Sequence, residues 1–255
     1  VEPEPGKFDF AGVDGAIREA RKNNLRLIFL WFGSWKNAES SYTPLWVKKN
    51  QKQYPLFQAE DGQVITYLSV FKEANWKADA NAFAALMRHI REVDGEAHTV
   101  IMMQVQNEVG CPGGTRDMGP EARAAFDGPV PKQLMDYMVK NRENLISEFR
   151  QYWEAAGGKT SGTWAEVFGN QPMTNELFMA WYYALYVDKV AKAGKAEYPL
   201  PMFINVALGE KIGDYSSGGA LPITLNVWQQ GAPAIDIIAP DIYLPNFAEW
   251  CARYD

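Results

Sequence analysis

The stretch TVIMMQVQNE, residues 99–108, is an apolar run that ends on two amides and an acid. A nearly continuous apolar run of this length is typical of a strand that is buried on both faces of a parallel sheet. Its last residues, Gln106, Asn107 and Glu108, have no basic neighbour in the sequence. The run therefore predicts a buried strand that presents polar side chains at its carboxyl end.

Three further runs have the same character, and helical patterns lie between them. These runs are LRLIFLWFG at 25–33, PMFINVA at 201–207 and IDIIAPDIY at 235–243. Apolar residues at helical spacing predict helices over 13–24, 76–93, 132–155, 175–194 and 246–254. Strands that alternate with helices indicate βαβ units, and hence an α/β fold with a parallel sheet.

The composition is that of an ordinary globular domain and argues against several kinds of partner. The chain has 255 residues, of which 47% are hydrophobic, and its net charge is −6. This length is common for a single α/β barrel domain. The acidic balance argues against nucleic acid or an anionic membrane as a partner. The longest apolar block, 27–32, is far shorter than the ~20 residues that a membrane span needs.

Long connections follow two of the predicted strands. Residues 110–131 are dense in Gly and Pro, and residues 34–74 form another long connection. Long loops in compact domains are commonly functional, and in a parallel α/β barrel the loops after the strands form the catalytic face. We therefore expect a cleft above the carboxyl ends of these strands, close to Glu108.

Two interpretations of Glu108 follow from its place at a strand end. An apolar wall around the carboxyl group would raise its pKa and suit it to general-acid work. The amide of Asn107 beside it could hold a substrate hydroxyl near the reacting atom. Alternatively, Glu108 pairs with a distant arginine or caps a helix and has no chemical role. The strand alone leaves both interpretations open.

The sequence offers few of the residues that other types of catalysis require. The two histidines, His89 and His98, lie in a helical pattern and in a turn, away from the strand ends. The two cysteines, Cys111 and Cys251, form neither a disulfide framework nor a zinc set. Motifs of serine hydrolases, zinc proteases and dinucleotide-binding folds are missing. We therefore expect carboxylate chemistry in an aromatic-rich pocket, with no metal and no cofactor.

Three segments resemble β-galactosidases of glycoside hydrolase families 35 and 42. VEPEPGKFDF at 1–10 resembles the E-P-x-x-G-x-F-D-F segment after the second barrel strand of these enzymes, and LRLIFLWFGSW at 25–35 resembles their third strand. QVQNEVG at 104–110 resembles their fourth strand, which ends on Asn-Glu. The match looks most like a bacterial subgroup of family 35. It implies a (β/α)8 TIM-barrel-type fold.

The resemblance also implies roles for individual residues. Glu108 would be the acid/base, and Asn107 would contact the 2-hydroxyl of the sugar. Trp35 and Asn37 fall in a loop that shapes the sugar subsite in the relatives. Tyr243 lies at the end of the predicted sixth strand, where the relatives often carry a tyrosine near the nucleophile.

By the same resemblance, the chain is an incomplete barrel. Strands three to six are whole, the first and last strands are missing, and the nucleophilic glutamate of strand seven falls beyond Asp255. We therefore expect one barrel domain over residues 1–255, truncated at both ends. Within the chain, Asp241, Glu39 and Glu2 are the candidates for the second carboxylate. Four strands cannot close a barrel, so we expect the open edges to be covered by self-association or by rearranged helices.

The function that the resemblance implies is retaining hydrolysis of terminal β-galactosides, with a carbohydrate as the partner molecule. Two alternatives belong to other classes. One is a sugar-binding protein that keeps the acid/base without a nucleophile. The other is a different hydrolase, such as an esterase, in the same cleft. A second carboxylate within reach of a sugar carbon shared with Glu108 would distinguish the first alternative from the hydrolase.

Overall fold

A parallel sheet and the helices that separate its strands form the framework of the chain. The computed structural model describes residues 1–111, 113–209 and 211–254. Within these residues, the strands are β1 (Leu27–Trp31), β2 (Leu56–Gln58), β3 (Val64–Leu68), β4 (Val100–Asn107), β5 (Met202–Ala207) and β6 (Ile237–Asp241). Strands β1, β4, β5 and β6 form one parallel sheet in that order, and β2 and β3 form an antiparallel hairpin. The four strands of the parallel sheet lie within the four apolar runs, which confirms the predicted α/β fold.

The helices of the described residues follow the predicted alternation. They are α1 (Ala11–Lys22), α2 (Leu45–Lys48), α3 (Glu73–Asp94), α4 (Pro120–Asp127), α5 (Lys132–Lys140), α6 (Ser147–Ala155), α7 (Trp164–Phe168), α8 (Pro172–Glu197), α9 (Leu225–Gly231) and α10 (Phe247–Arg253). None of them is both long and apolar enough to cross a membrane.

The helix predicted over 132–155 is interrupted. Helix α5 ends at Lys140, and α6 begins at Ser147. The side chain of Asn141 donates to the carbonyl of Tyr137 at 2.9 Å, and asparagine competes for backbone hydrogen bonds in this way at helix ends. The prediction of one continuous helix was therefore wrong.

Helices α3 and α8 pack along each other over one face of the sheet. Gly194 of α8 lies so close to α3 that a Cβ at this position would be 2.3 Å from the ring of Phe83. The same ring lies 5.3 Å from that of Trp31 in β1. Met202, at the start of β5, is fully buried beside them. This packing makes the helix-covered face the core of the molecule.

The opposite face of the sheet is open. Ile28 and Leu30 of β1 are 45% and 52% exposed, and Ile237 of β6 is 47% exposed. The prediction of burial on both faces is therefore wrong for β1 and β6, because the helices of the described residues cover only one face. It holds for the carboxyl half of β4, where residues 103–107 are all buried. A four-stranded sheet of this kind cannot close on itself, which agrees with the predicted incomplete barrel.

Candidate active site

The end of β4 has an irregular backbone. The register of β4 against β5 shifts between Gln104 and Asn107, and a bulge of this kind re-aims the side chains beside it. Gln106 and Glu108 have positive φ angles of 67° and 50°. Such a conformation costs a non-glycine residue about 1–3 kcal/mol and is concentrated at functional sites. The strain therefore marks this strand end as a candidate site.

A chain of hydrogen bonds crosses the sheet at Asn107. Its Oδ1 accepts from Nζ of Lys36 at 3.1 Å and from the backbone N–H of Asn37 at 3.2 Å. Its Nδ2 donates to Oδ1 of Asn205 at 2.5 Å. Nδ2 of Asn205 in turn donates to Oδ1 of Asp241 at 2.7 Å. Side chains from β4, β5 and β6 and from the loop after β1 thus meet at one edge of the sheet.

Glu108 is half-buried at this edge, and its backbone is fixed on both sides. Its N–H donates to the carbonyl of Asn205, and its carbonyl accepts from the N–H of Ala38, each at 3.0 Å. Burial raises the pKa of the Glu108 carboxyl group, the charge of Asp241 raises it further, and Lys36 opposes the rise. Across the described residues, its carboxylate forms no ion pair with an arginine. The environment therefore suits an acid more than a salt-bridge partner.

The buried carboxylate of Asp79, on α3, connects the carboxyl ends of β1 and β4. Its two oxygens accept from Trp31 Nε1 at 2.7 Å, from Ser34 Oγ at 2.5 Å and from Gln106 Nε2 at 2.6 Å. Burial raises the pKa of Asp79, and these hydrogen bonds oppose the rise. Asp79 therefore joins β1, the loop after β1 and the end of β4.

Gln106 continues this connection toward the site. Its Oε1 accepts from the backbone N–H groups of Ser34 and Trp35, each at 2.9 Å. The carbonyl of Trp35 accepts from the N–H of Asn107 at 3.2 Å. The loop after β1 is thereby held against β4, and this contact brings Lys36 beside Asn107.

The loop after β4, which follows Glu108 in the chain, meets the loop after β5 above the site. Cys111 and Ser217 form a two-bond backbone bridge, with N···O distances of 3.1 and 2.8 Å. The carboxylate of Glu176, on α8, accepts from the Ser217 hydroxyl, from the N–H of Gly218 at 2.9 Å and from the N–H of Gly114 at 3.3 Å. The loop after β4 and the loop after β5 are thus anchored to one buried side chain.

The residues predicted from the sequence are only partly brought together. Asn107, Glu108 and Asn37 are adjacent, but Trp35 has no exposed surface and packs edge-on against Tyr183 and Tyr186. A side chain with no exposed surface cannot contact a sugar, so the predicted contact of Trp35 does not fit this structure. Its backbone helps to position Asn107 instead.

The remaining candidates lie at different distances from the site. Asp241 belongs to the hydrogen-bond chain, and Tyr243, two residues further on, is 89% exposed. Glu39 is exposed in the turn that contacts the backbone of Glu108. Glu2 lines a separate cavity of about 690 Å³ beside β1, and the residues that line it include neither Glu108 nor Asn107. Of the three candidate carboxylates, only Asp241 influences the pKa of Glu108.

Sequence reasoning missed two residues of this site, Lys36 and Asn205. Asn205 is the single polar residue of the apolar run PMFINVA, which is the same signal that identified Asn107. Lys36 follows Trp35 directly and supplies the basic neighbour that the sequence around Glu108 lacks. Its proximity depends on the packing of two segments that lie 71 residues apart.

The comparison with protein families decides the class of the chain. Residues 1–181 match the model of glycoside hydrolase 42, described as beta-galactosidase. The chain belongs to glycoside hydrolase family 42. The β-galactosidase-like interpretation of the sequence is therefore confirmed, but its assignment to family 35 is not supported. The motifs that suggested family 35 resemble segments of both families, so they could not separate them.

Solved structures with a similar fold include other glycosidases. A β-galactosidase from Rahnella sp. R3 superposes with a TM-score of 0.56 at 16% identity, over 94% of this family-42 chain and 32% of the other. A β-galactosidase from Bacillus circulans sp. alkalophilus gives 0.56 at 15% identity, over 96% and 34%. The catalytic domain of a β-amylase from Paenibacillus polymyxa gives 0.55 at 9% identity, over 92% and 65%.

These likenesses concern the fold alone, because the identities are low. The family-42 chain spans about a third of the length of the two β-galactosidases. A search of curated proteins found no match.

Proposed function

We propose that the chain belongs to an enzyme that hydrolyses terminal β-galactosides with retention of configuration, and that Glu108 is its acid/base. The observation that carries this proposal is the half-buried Glu108, whose pKa is raised by burial, beside the fixed amide of Asn107. A raised pKa keeps a carboxyl group protonated nearer to neutral pH, as a general acid requires. Membership of family 42 supports the same assignment.

In this mechanism Glu108 first donates its proton to the oxygen of the leaving group. It then accepts a proton from the water that attacks the sugar. Asn107 donates to the 2-hydroxyl, and this contact strengthens as charge develops on the sugar. Retention also needs a second carboxylate ~5–5.5 Å from the first, which attacks the sugar and forms a covalent intermediate.

One observation favours a second candidate function, the binding of a galactoside without hydrolysis. Asp241 is the described carboxylate that influences Glu108, and its Oδ1 already accepts from Asn205 at 2.7 Å. This hydrogen bond suits Asp241 to positioning rather than to nucleophilic attack. Without another carboxylate, the same site would hold a sugar and leave its glycosidic bond intact.

A hydrolysis assay with product analysis tests these proposals. The chain is incubated with 4-nitrophenyl β-galactoside, and nuclear magnetic resonance (NMR) identifies the first anomer of galactose that is released. We expect β-galactose. Galactose binding without release of nitrophenol would support the binding function instead, and α-galactose as the first product would contradict retention. Hydrolysis of 4-nitrophenyl acetate alone would favour the esterase alternative.

The pH dependence of hydrolysis should respond to the charges around Glu108 in opposite directions. Asp241 raises the pKa of Glu108 and Lys36 lowers it. Because the acid must be protonated, the alkaline limb of kcat/KM follows this pKa. We expect Lys36→Met to move the alkaline limb to higher pH and Asp241→Asn to move it to lower pH. Shifts in the same direction would contradict the assignment of this limb to Glu108.

We also propose that the open edge of the sheet at β1 is covered by a second copy of the chain. Exposed apolar side chains on a sheet with open edges favour association, and Ile28 and Leu30 are such side chains. Sedimentation equilibrium should show a concentration-dependent dimer, which the double variant I28S/L30S weakens. Leu45→Ser is the matched control, because Leu45 is 62% exposed but lies in α2, away from the sheet. A wild-type chain that stays monomeric at all concentrations would contradict this proposal.

A further inference from the structure

Four polar side chains form one continuous line across the carboxyl edge of the sheet. Their order is Lys36, Asn107, Asn205 and Asp241, which is the order of the strands β1, β4, β5 and β6. Asn107 and Asn205 are register partners, and Asp241 lies two residues beyond Ala239, the partner of Asn205. Neighbours of this kind lie within reach of polar side chains on one face. The backbone of the sheet therefore builds the line.

The charged groups at the two ends of this line fix the direction in which its hydrogen bonds are donated. An ammonium group can only donate hydrogen bonds, and an ionised carboxylate can only accept them. Asp241 therefore requires an N–H from Asn205, which turns Oδ1 of Asn205 toward Asn107. Lys36 donates to Oδ1 of Asn107 and also to Oδ1 of Asn37, and the backbone N–H of Asn37 donates to the same oxygen of Asn107. These donors hold the oxygen of Asn107 on the side of Lys36 and turn its Nδ2 toward Asn205. Both ends therefore favour the same orientation of the two amides, and the observed hydrogen bonds show this orientation.

This orientation leaves Asn107 with one hydrogen-bonding group that no side chain or backbone group of the described residues uses. Its Oδ1 already accepts from Lys36 and from the N–H of Asn37. One hydrogen of its Nδ2 is donated to Asn205. An amide has two acceptor sites on its oxygen and two donor hydrogens on its nitrogen, so one N–H of Asn107 remains for a ligand.

We propose that Lys36, Asn205 and Asp241 are positioning residues that orient the amide of Asn107 so that it can only donate to the 2-position of a bound sugar. This inference rests on the proposed function, because it assigns the ligand of Asn107. The preferred ligands are then glycosides whose 2-substituent accepts a hydrogen bond. Glycosides of 2-amino-2-deoxygalactose in their ammonium form are disfavoured, because an ammonium group cannot accept and is repelled by Lys36.

Kinetics with two substrates test the positioning role. The measured quantity is the ratio of kcat/KM for 4-nitrophenyl β-galactoside to kcat/KM for its 2-deoxy analogue. We expect Asn205→Leu and Lys36→Met to lower this ratio about tenfold, which corresponds to the loss of one well-oriented hydrogen bond. Lys36→Arg, which keeps a cationic donor, should retain the ratio. A variant that lowers kcat/KM equally for both substrates would show a merely structural role and overturn the proposal.

A second measurement separates this inference from the proposed function. Hydrogen exchange of the side-chain amides of Asn107 and Asn205 is followed by NMR in the absence of substrate. We expect slow exchange in the wild-type chain and exchange faster by about tenfold in Asp241→Asn. The asparagine in this variant can donate as well as accept, so it no longer fixes the orientation of the Asn205 amide. Unchanged exchange would overturn the hydrogen-bond line. If the wild-type chain cleaves no galactoside but shows this exchange pattern, the proposed hydrolysis has failed while the hydrogen-bond line stands.

Discussion

Replacing Glu108 with glutamine should lower the turnover of 4-nitrophenyl β-galactoside by about 10²–10⁴-fold, the usual contribution of a general acid. Glutamine has nearly the size and shape of glutamate, so the half-buried site keeps its packing. The amide, however, has no proton with a useful acidity and cannot become a base in the second step. The loss should therefore appear in turnover, with the melting temperature nearly unchanged.

The dependence on the leaving group makes this experiment specific for an acid/base. A dinitrophenyl leaving group departs with little protonation, so Glu108→Gln should cost less with this substrate than with the nitrophenyl one. Azide should restore turnover in Glu108→Ala by attacking the covalent intermediate, and the product should be β-galactosyl azide. Glu39→Gln is the control, because it removes an exposed carboxylate from the neighbouring turn. Equal losses for both leaving groups would remove Glu108 from the role of acid.

Replacing Asp79 with alanine should lower the free energy of unfolding by about 3–5 kcal/mol. The variant leaves the buried donors Trp31 Nε1 and Gln106 Nε2 without their acceptor, whereas the Ser34 hydroxyl keeps its hydrogen bond with the hydroxyl of Tyr186. An orphaned buried donor costs about 1–3 kcal/mol. Urea denaturation measures the loss. Asp136→Ala is the control, because Asp136 is exposed and, among the residues that the structure describes, forms its ion pair with Lys132 along α5, so its loss should stay within about 1 kcal/mol.

The same variant should respond to pH in a defined direction. Burial raises the pKa of Asp79 above its value in the unfolded chain, so the folded state binds the proton more tightly. This contribution to stability is fully present below the unfolded pKa of about 3.9 and is lost as the pH rises through the folded pKa. The stability difference between the wild-type chain and Asp79→Ala should therefore be largest in acid. A difference that grows with rising pH would contradict the raised pKa.

The strands and the centre of the candidate site could be predicted from the sequence, because their signals are local. An apolar run that ends on Asn107 and Glu108 needs no knowledge of distant contacts. Lys36 and Asn205 could not be placed, because they reach Asn107 across 71 and 98 residues of chain. The burial of Trp35 depends in the same way on Tyr183 and Tyr186 of α8. The local sequence pattern thus predicts the side chains at the end of a strand, whereas tertiary packing determines which distant residues contact them.

The bridge between Cys111 and Ser217 has a consequence for the order of folding. It joins segments that are 106 residues apart in the chain, whereas the bond from Ser217 to Glu176 spans 41 residues. Closing a long segment of chain costs conformational entropy before the contacts at its ends can stabilise it, and proteins rich in such long-range contacts fold slowly. The pairing of β4 with β5 already joins residues that are 98 apart, so the bridge closes at little further entropic cost once these strands have paired. The two loops above the site should therefore become ordered after the sheet has formed, so that a newly made chain acquires its framework before its cleft.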